Sequence, residues 1–416
     1  MTNTFCAFCG KSHSEVRKLI ASPDGTTYIC DSCVQICESL VSENNFSKNN
    51  QNFTLPKPAE IKAILDDYII GQDEAKRAIS VAVYNHYKRV NYNLTNHNND
   101  LKVELDKSNI LLIGSTGVGK TLIAKTLSNI LKVPFVCVDA TTLTEAGYVG
   151  EDVESIITKL YQNADMDIRK TEMGIVYIDE IDKIAKKLDS KTLTRDVSGE
   201  GVQQALLKIL EGNTITITPN NLRRAPHQET VQINTQNILF ICGGAFVKLN
   251  EIVNKKQPSS LGFSKTKKQT PNKIKYAFGV ASPSNLIEFG LIPEFVGRLP
   301  VVVKLDDLNK QALINILSKS KNSLLKQYKT IFKLDGLELE IEDEAVDAIA
   351  TKAQKLNLGA RGLRTILEEV LLNSMYDSPS NKNLSKIILT KESVLNKSNP
   401  TLIYKQDLRN ENNLSA

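Results

Sequence analysis

No apolar run in this 416-residue sequence approaches the roughly 20 residues that a membrane-spanning helix needs, so a chain that crosses a bilayer on helices is not expected. The first residues carry neither an apolar signal core nor an arginine-rich amphipathic presequence, and a cytoplasmic, bacterial-type location is the expectation. Charge of one sign is also lacking. Lysine and arginine exceed aspartate and glutamate only by 52 to 47, a surplus too small to argue for nucleic acid as a partner. Nor is there an internal repeat, which sets a stacked-repeat architecture aside.

What is present is the composition of a globular protein, 41% hydrophobic and 24% charged. At about 150 residues per domain the length predicts about three units. The stretch Ser42–Asn52 is polar, asparagine-rich and without period, as a linker would be. A second polar stretch, Asn91–Asp100, predicts a surface loop. From Asn109, short apolar strands alternate with helical patterns: Asn109–Ile113, then Lys120–Leu131; Pro134–Ala140, then Asp152–Asn163; Gly174–Glu180, then Gly201–Leu210; and Asn237–Gly244. Such alternation predicts an α/β fold with a parallel sheet covered by helices. Beyond Leu305, helical segments at Lys310–Tyr328, Glu342–Leu356 and Arg361–Tyr376 join two short strands, which predicts a small mixed α/β C-terminal domain. The expected layout is a metal-binding unit at 1–45, a linker at 46–60, a large domain at 61–305, a small domain at 306–402 and a polar tail at 403–416.

Five of the seven cysteines lie in the first 37 residues. Cys6 with Cys9 and Cys30 with Cys33 are two C-x2-C pairs 20 residues apart, the spacing in which four thiolates close a tetrahedron around Zn²⁺. About 40 residues are too few to hold a core unaided, so the metal would supply most of the folding energy, on the order of 10 kcal/mol. The zinc is therefore expected to be structural. Cys37 is read as core packing and His13 as surface, because four thiolates already complete the set. Cys137 and Cys242 stand alone in apolar strands and are expected in the core.

The run Gly114, Ser115, Thr116, Gly117, Val118, Gly119, Lys120, Thr121 satisfies G-x-x-x-x-G-K-[ST] after a strand and before a helix. Its backbone N–H groups would curl around the phosphates of ATP, with the nucleotide-binding segment running on to Leu122. Lys120 would reach the β/γ oxygens, and Thr121 would ligate Mg²⁺. The strand Ile175–Glu180 ends in two acids beside it. Asp179 is suited to the Mg²⁺ shell and Glu180 to polarising the attacking water, so the pair predicts hydrolysis rather than binding alone.

Together with Gly147–Gly150 and the four-cysteine unit, these motifs resemble the ClpX branch of the AAA+ ATPases. The segments Tyr68–Gln72, Arg195–Gln204, Gly290–Pro300 and Gly359–Arg364 look like the family's own and extend the match over nearly the whole chain. The resemblance implies that Ile69 and Ile70 cradle the adenine. It implies too that Arg298 reaches a neighbouring subunit's ATP and that Arg361 senses the γ-phosphate in its own. Tyr148 and Val149 would grip polypeptide in a central pore. Arg195–Glu200 and Asn220–Glu229 resemble further pore loops, the latter with Arg223, Arg224, Ala225 where Arg-Lys-His is usual. Leu261, Gly262 and Phe263 resemble the loop that docks a ClpP-type peptidase. The strand ending Cys242, Gly243, Gly244 lacks the polar residue that many relatives point at the γ-phosphate.

The resemblance further implies a homohexamer that unfolds tagged or adaptor-delivered proteins, itself no peptidase, with a zinc unit able to dimerise. Two other readings compete. An HslU-type unfoldase would carry a large insertion after the pore loop, but only 28 residues separate Gly150 from Asp179. A nucleic-acid motor would need a basic channel, whereas Glu145 and Glu151 flank the pore segment.

Overall fold

A computed structural model describes residues 5–23, 25–34, 37, 55–95, 105–145, 150–186, 199–218, 230–255, 282–356, 358–381, 383–396 and 398–405. The chain divides into two compact units, residues 1–55 and 56–416. Among the described residues no helix is long and apolar enough to cross a membrane.

The first unit contains a short antiparallel hairpin, β1 (Leu19–Ala21) and β2 (Tyr28–Cys30), in which Leu19 pairs with Cys30. Cys6, Cys30 and Cys33 are buried at its centre, with Val16, Leu19 and Ile29 packed against them. That apolar cluster is too small to hold a fold by itself.

The second unit opens with α1 (Pro58–Tyr68) and α2 (Asp73–Thr95). Proline at the first helical position starts α1, inside the stretch expected to be linker. Helix α2 carries straight through the polar residues Asn91–Thr95, where a surface loop was expected, because an established helix propagates across weak formers more cheaply than it nucleates.

The main sheet is all parallel, in the order β11 (Val301–Lys304), β3 (Ile110–Ile113), β10 (Leu239–Gly244), β7 (Ile175–Asp179), β4 (Phe135–Asp139). The central strands β3 and β10 are buried throughout, as strands covered on both faces must be. Helix α3 (Lys120–Leu131) buries Lys120, Ile123, Ala124, Leu127 and Leu131, one face at helical spacing. It ends at Lys132 in the left-handed region, φ 54°. Cys242 lies in the core as expected, but Cys137 is exposed. The reason is topological, since β4 is the edge strand of the sheet among the described residues.

Around the sheet lie β5 (Leu143–Thr144), β6 (Glu151–Asp152), α4 (Ser155–Asn163), α5 (Ile168–Glu172), α6 (Glu200–Glu211), β8 (Thr214–Ile217), β9 (Val231–Asn234), α7 (Leu249–Lys255), α8 (Pro283–Phe289) and α9 (Pro293–Gly297). The helix expected from Asp152 begins at Ser155, because Glu151 and Asp152 pair instead with Leu143 and Thr144.

Before β10, three successive carbonyls are capped by basic groups. Thr235 O accepts from Lys107 Nζ at 2.7 Å, Gln236 O from Arg89 Nη2 at 2.9 Å and Asn237 O from His86 Nε2 at 2.9 Å. Burial, with the neighbouring Arg89 charge second, pushes the His86 pKa down to about 3. Folding thus favours neutral His86, so its contribution is full above the unfolded value near 6.5 and is lost as pH falls towards 3, at about 1.4 kcal/mol per unit. Lys107, pushed down to about 7 by burial, changes its contribution only above that pH. Replacing His86 by Gln keeps a donor and removes the titration. Urea midpoints should then fall less steeply between about pH 6 and 4 than in the wild type, and parallel slopes would assign the acid sensitivity to other groups.

The small-domain residues follow β11. Helices α10 (Lys310–Ser318), α11 (Leu324–Leu334), α12 (Asp343–Lys355), α13 (Gly359–Asp377) and α14 (Lys391–Asn396) surround a sheet ordered β12 (Glu338–Ile341), β13 (Leu384–Leu389), β14 (Thr401–Tyr404). Their core is separate from that of the main sheet. The single helix expected over Lys310–Tyr328 is two. The break falls at Lys319–Ser323, where Ser323 accepts from Lys326 N and the Lys321 N–H donates to Asp67 O of α1 at 2.8 Å. Strand β14 runs to Tyr404, past the boundary expected at residue 402.

Candidate functional site

A cavity of about 860 Å³ opens where β3 and β7 end, the crevice in which parallel α/β sheets place ligands. Thr116 to Leu122 line one wall, Asp179, Glu180 and Asp182 another, and Ile69 and Ile70 lie on the side of α1. Arg361 completes it from the small domain. Gly117 and Gly119 adopt φ 81° and 105°, which gives the loop before α3 its curl. Gly114, at the end of β3, is bonded through its N–H to Gly244 O at 3.1 Å. Ser115 Oγ donates to Asp307 Oδ1 at 2.6 Å. Lys120 Nζ donates to Gly114 O at 2.5 Å and to Ser115 O at 3.0 Å. Burial lowers the pKa of this ammonium, and Asp179 and Asp182 oppose the shift.

Thr121 Oγ1 donates to Asp179 Oδ2 at 3.2 Å, while Tyr177 OH donates to Asp179 Oδ1 at 3.0 Å. Both carboxylate oxygens are therefore engaged. The Thr121 hydroxyl and the Asp179 carboxylate are hard oxygen donors facing a cavity with room for water, which is the donor set Mg²⁺ takes beside phosphates. Glu180 follows in the left-handed region at φ 56°, a conformation that disfavours a side chain with a Cβ. That strain turns the residue after Asp179 to the cavity wall instead of continuing the strand. Asp182 accepts from the N–H groups of Ala245 and Phe246 at 3.1 and 3.3 Å, tying β7 to the end of β10.

The small-domain wall touches the phosphate loop backbone to backbone. Ala360 N donates to Gly117 O at 3.1 Å, and a Cβ at Gly117 would stand 2.7 Å from Leu358 O. A Cβ at Gly359 would stand 2.8 Å from Thr116 O. Glycine at both positions permits this approach, which brings the first turn of α13 and Arg361 to the cavity. Arg364, one turn on and ion-paired to Glu368 at 3.0 Å, also lines it, as do Tyr68, Asn322 and Gln327. Sequence reasoning assigned none of these four. Arg364 was legible from its i, i+3 spacing to Arg361, whereas Asn322 and Gln327 carry no motif.

Arg298 stands outside this cavity, half-exposed, and pairs with Glu211 at 3.0 Å. Gln72 locks the two domains' connection, since its Nε2 donates to Asp306 O at 2.7 Å and its Oε1 accepts from Asp306 N at 2.8 Å. Tyr148 and Val149 lie outside the described residues, as do Leu261, Gly262, Phe263 and the segments 195–198 and 220–229. At the described foot of the first of these loops, a Cβ on Gly150 would stand 2.3 Å from the Thr144 side chain. Close packing accounts for that glycine.

In the first unit the sulfurs of Cys6, Cys9, Cys30 and Cys33 all lie within 4.8 Å of one another. Cys9 Sγ and Cys30 Sγ are 3.7 Å apart, close to the roughly 3.8 Å edge of a tetrahedron built on 2.3 Å zinc–sulfur bonds. Burial opposes the Cys6 thiolate, yet the N–H groups of Cys9, Cys30 and Phe8 directed at its sulfur bring the pKa down to about 6. The donor set and spacing fit Zn²⁺ with no open position, so the site is structural. Cys37 is half-buried and outside the quartet, and His13 is exposed.

Three family models match the chain in succession. Residues 4–43 match the ClpX C4-type zinc finger, residues 105–302 the AAA domain (Cdc48 subfamily), and residues 308–390 the C-terminal, D2-small domain of ClpB protein. The first falls on the cysteine quartet, the second on the parallel sheet with its phosphate loop, and the third on the helices that bring Arg361 to the cavity. With a zinc finger of the ClpX type, an AAA domain and a small domain in this order, the chain is a ClpX-like AAA+ protein.

Proposed function

We propose that this protein is an ATP-driven unfoldase that hydrolyses ATP with Mg²⁺, threads protein substrates through the pore of a homohexameric ring and feeds them to a ClpP-type peptidase. The observation that carries the reading is the cavity in which Lys120, Thr121, Asp179, Glu180 and Arg361 converge, in a chain that also holds a ClpX-type zinc finger. ATP stacked against Ile69 and Ile70 would lay its phosphates along Gly114–Thr121, with Lys120 neutralising charge and Glu180 polarising water. Mg²⁺, held by Thr121 and Asp179, would supply neutralisation of phosphate charge.

Arg298, outside its own cavity and half-exposed, is proposed to serve a neighbouring subunit instead. The backbone contact between Gly117 and Ala360 supports a second element of the reading. Events at the phosphates would move the small domain, because the two walls have no slack between them. Tyr148 and Val149 are proposed to grip substrate, and Leu261, Gly262 and Phe263 to dock the peptidase. A cytoplasmic location and adaptor or dimer contacts of the zinc unit belong to the same proposal.

The test is whether the purified chain with ATP abolishes the fluorescence of a tagged, stably folded reporter. Tyr148→Ala should keep ATP turnover within about twofold while reporter unfolding drops at least tenfold, since the chemistry and the grip are separate residues. ATP turnover with no reporter unfolding under any tag would return the chain to the nucleic-acid motors.

A further inference from the structure

The end of β10 presents a gap in the polar inventory of the site. Gly243 and Gly244 stand beside the catalytic strand with no side chains, and both glycines are crowded. A Cβ on Gly243 would lie 2.2 Å from Tyr177 OH, and one on Gly244 would lie 2.5 Å from the Phe246 ring and 2.8 Å from Asp182 Oδ1. The space beside Gly243 is thus filled by Tyr177 of β7, the strand that also carries Asp179. Register explains how: Tyr177 of β7 pairs with Ile241 and Ile178 with Cys242, so Gly243 comes abreast of Asp179 just where the Tyr177 ring leans forward. The ring is fully buried, and its hydroxyl donates to Asp179 Oδ1 at 3.0 Å. Thr121 Oγ1 holds the other oxygen at 3.2 Å.

We propose that Tyr177 is a positioning residue for the metal-binding carboxylate, holding Asp179 by one oxygen so that the other stays turned to the metal, and that Gly243 is glycine to make room for that hydroxyl. The proposal rests on the reading of the cavity as a Mg²⁺–ATP site. When a metal ion takes Thr121 Oγ1 as a ligand, it uses an oxygen lone pair, and the O–H can still donate to Asp179 Oδ2. The Tyr177 hydroxyl is the side-chain donor on the opposite oxygen, Oδ1, which it shares with the Glu180 N–H at 3.0 Å. A donor behind a metal-binding carboxylate sets its orientation, and losing one typically weakens metal binding by about 10–100-fold. Because Tyr177 is buried and does not line the cavity, its effect on nucleotide passes through Asp179 and not through direct contact.

The experiment uses the full chain with a fluorescent, slowly hydrolysed ATP analogue, and Mn²⁺ as the spectroscopic stand-in for Mg²⁺. Nucleotide affinity is measured with and without metal, and bound Mn²⁺ is followed by its electron paramagnetic resonance. For Tyr177→Phe the expected result is Mn²⁺ affinity about tenfold or more weaker at the nucleotide-loaded site, with metal-free nucleotide affinity and melting temperature near wild type. Gly243→Ala should weaken Mn²⁺ as well, by displacing the hydroxyl, and combining it with Tyr177→Phe should add little further loss. Unchanged Mn²⁺ affinity in Tyr177→Phe, or fully additive losses in the pair, would overturn the positioning role. A wild-type chain whose nucleotide affinity ignores metal altogether would instead overturn the parent reading of the cavity, an outcome visible before any variant is made.

Discussion

Glu180→Gln is expected to bind ATP as tightly as the wild type and to hydrolyse it at least 100-fold more slowly. The amide preserves the shape and hydrogen-bonding reach of the carboxylate but cannot accept a proton in the transition state, and general-base contributions run to about 10²–10⁴-fold. The backbone sharpens the expectation. Glu180 holds φ at 56° whether the side chain is acid or amide, so the substitution leaves the strained turn after Asp179 untouched. Glycine at the same position should raise stability by relieving that strain, by roughly 1 kcal/mol, while abolishing turnover, a trade seen where strain serves function. Both variants should retain a fluorescent nucleotide. Turnover close to wild type in Glu180→Gln would take the base role away from Glu180 and direct attention to Asp182, which lines the same cavity.

The second large effect concerns the first unit. Cys30 is fully buried, its sulfur is 3.7 Å from that of Cys9, and its N–H donates to Cys6 Sγ at 3.3 Å. Replacing Cys30 by Ser opens the tetrahedron at its centre. Among the described residues only Val16, Leu19 and Ile29 back the three buried cysteines, so little remains there to hold the unit once the metal is lost. Zinc content should fall from one ion per chain to nearly none, and hydrogen exchange across residues 5–37 should rise to the rate of an unfolded peptide. The second unit has its own cores and should keep its melting temperature. Retained zinc with normal protection in Cys30→Ser would mean that the quartet is not the metal site.

Much of the second unit was legible because periodicity and motif agree. Lys120–Leu131 is a helix to the residue, and the strands expected before and after it pair in one parallel sheet. What misled was local polarity. Asn91–Thr95 reads as loop but continues a helix, and Lys310–Tyr328 reads as one helix but breaks where Lys321 finds a backbone partner in α1. The first follows from helix cooperativity and the second from a neighbour distant in sequence, and single-segment propensity contains neither. The edge position of β4 belongs to the same class, since strand order in a parallel sheet is set by crossover packing and decides whether Cys137 is covered.

By itself, the sequence determined the chemistry available to this protein: a four-thiolate metal set, a phosphate loop and an acidic pair, each a matter of residue type at short, fixed spacing. Tertiary structure alone decided which groups stand behind that chemistry. The approach of Gly243 to the Tyr177 hydroxyl, the glycines that let α13 touch the phosphate loop, and Asn322 and Gln327 on the cavity wall come from strands and helices far apart in the chain. Short spacings survive in a linear string because a turn or one helical face enforces them. Contacts across strands and domains do not, because they exist only after packing has brought separate segments to within a few ångströms.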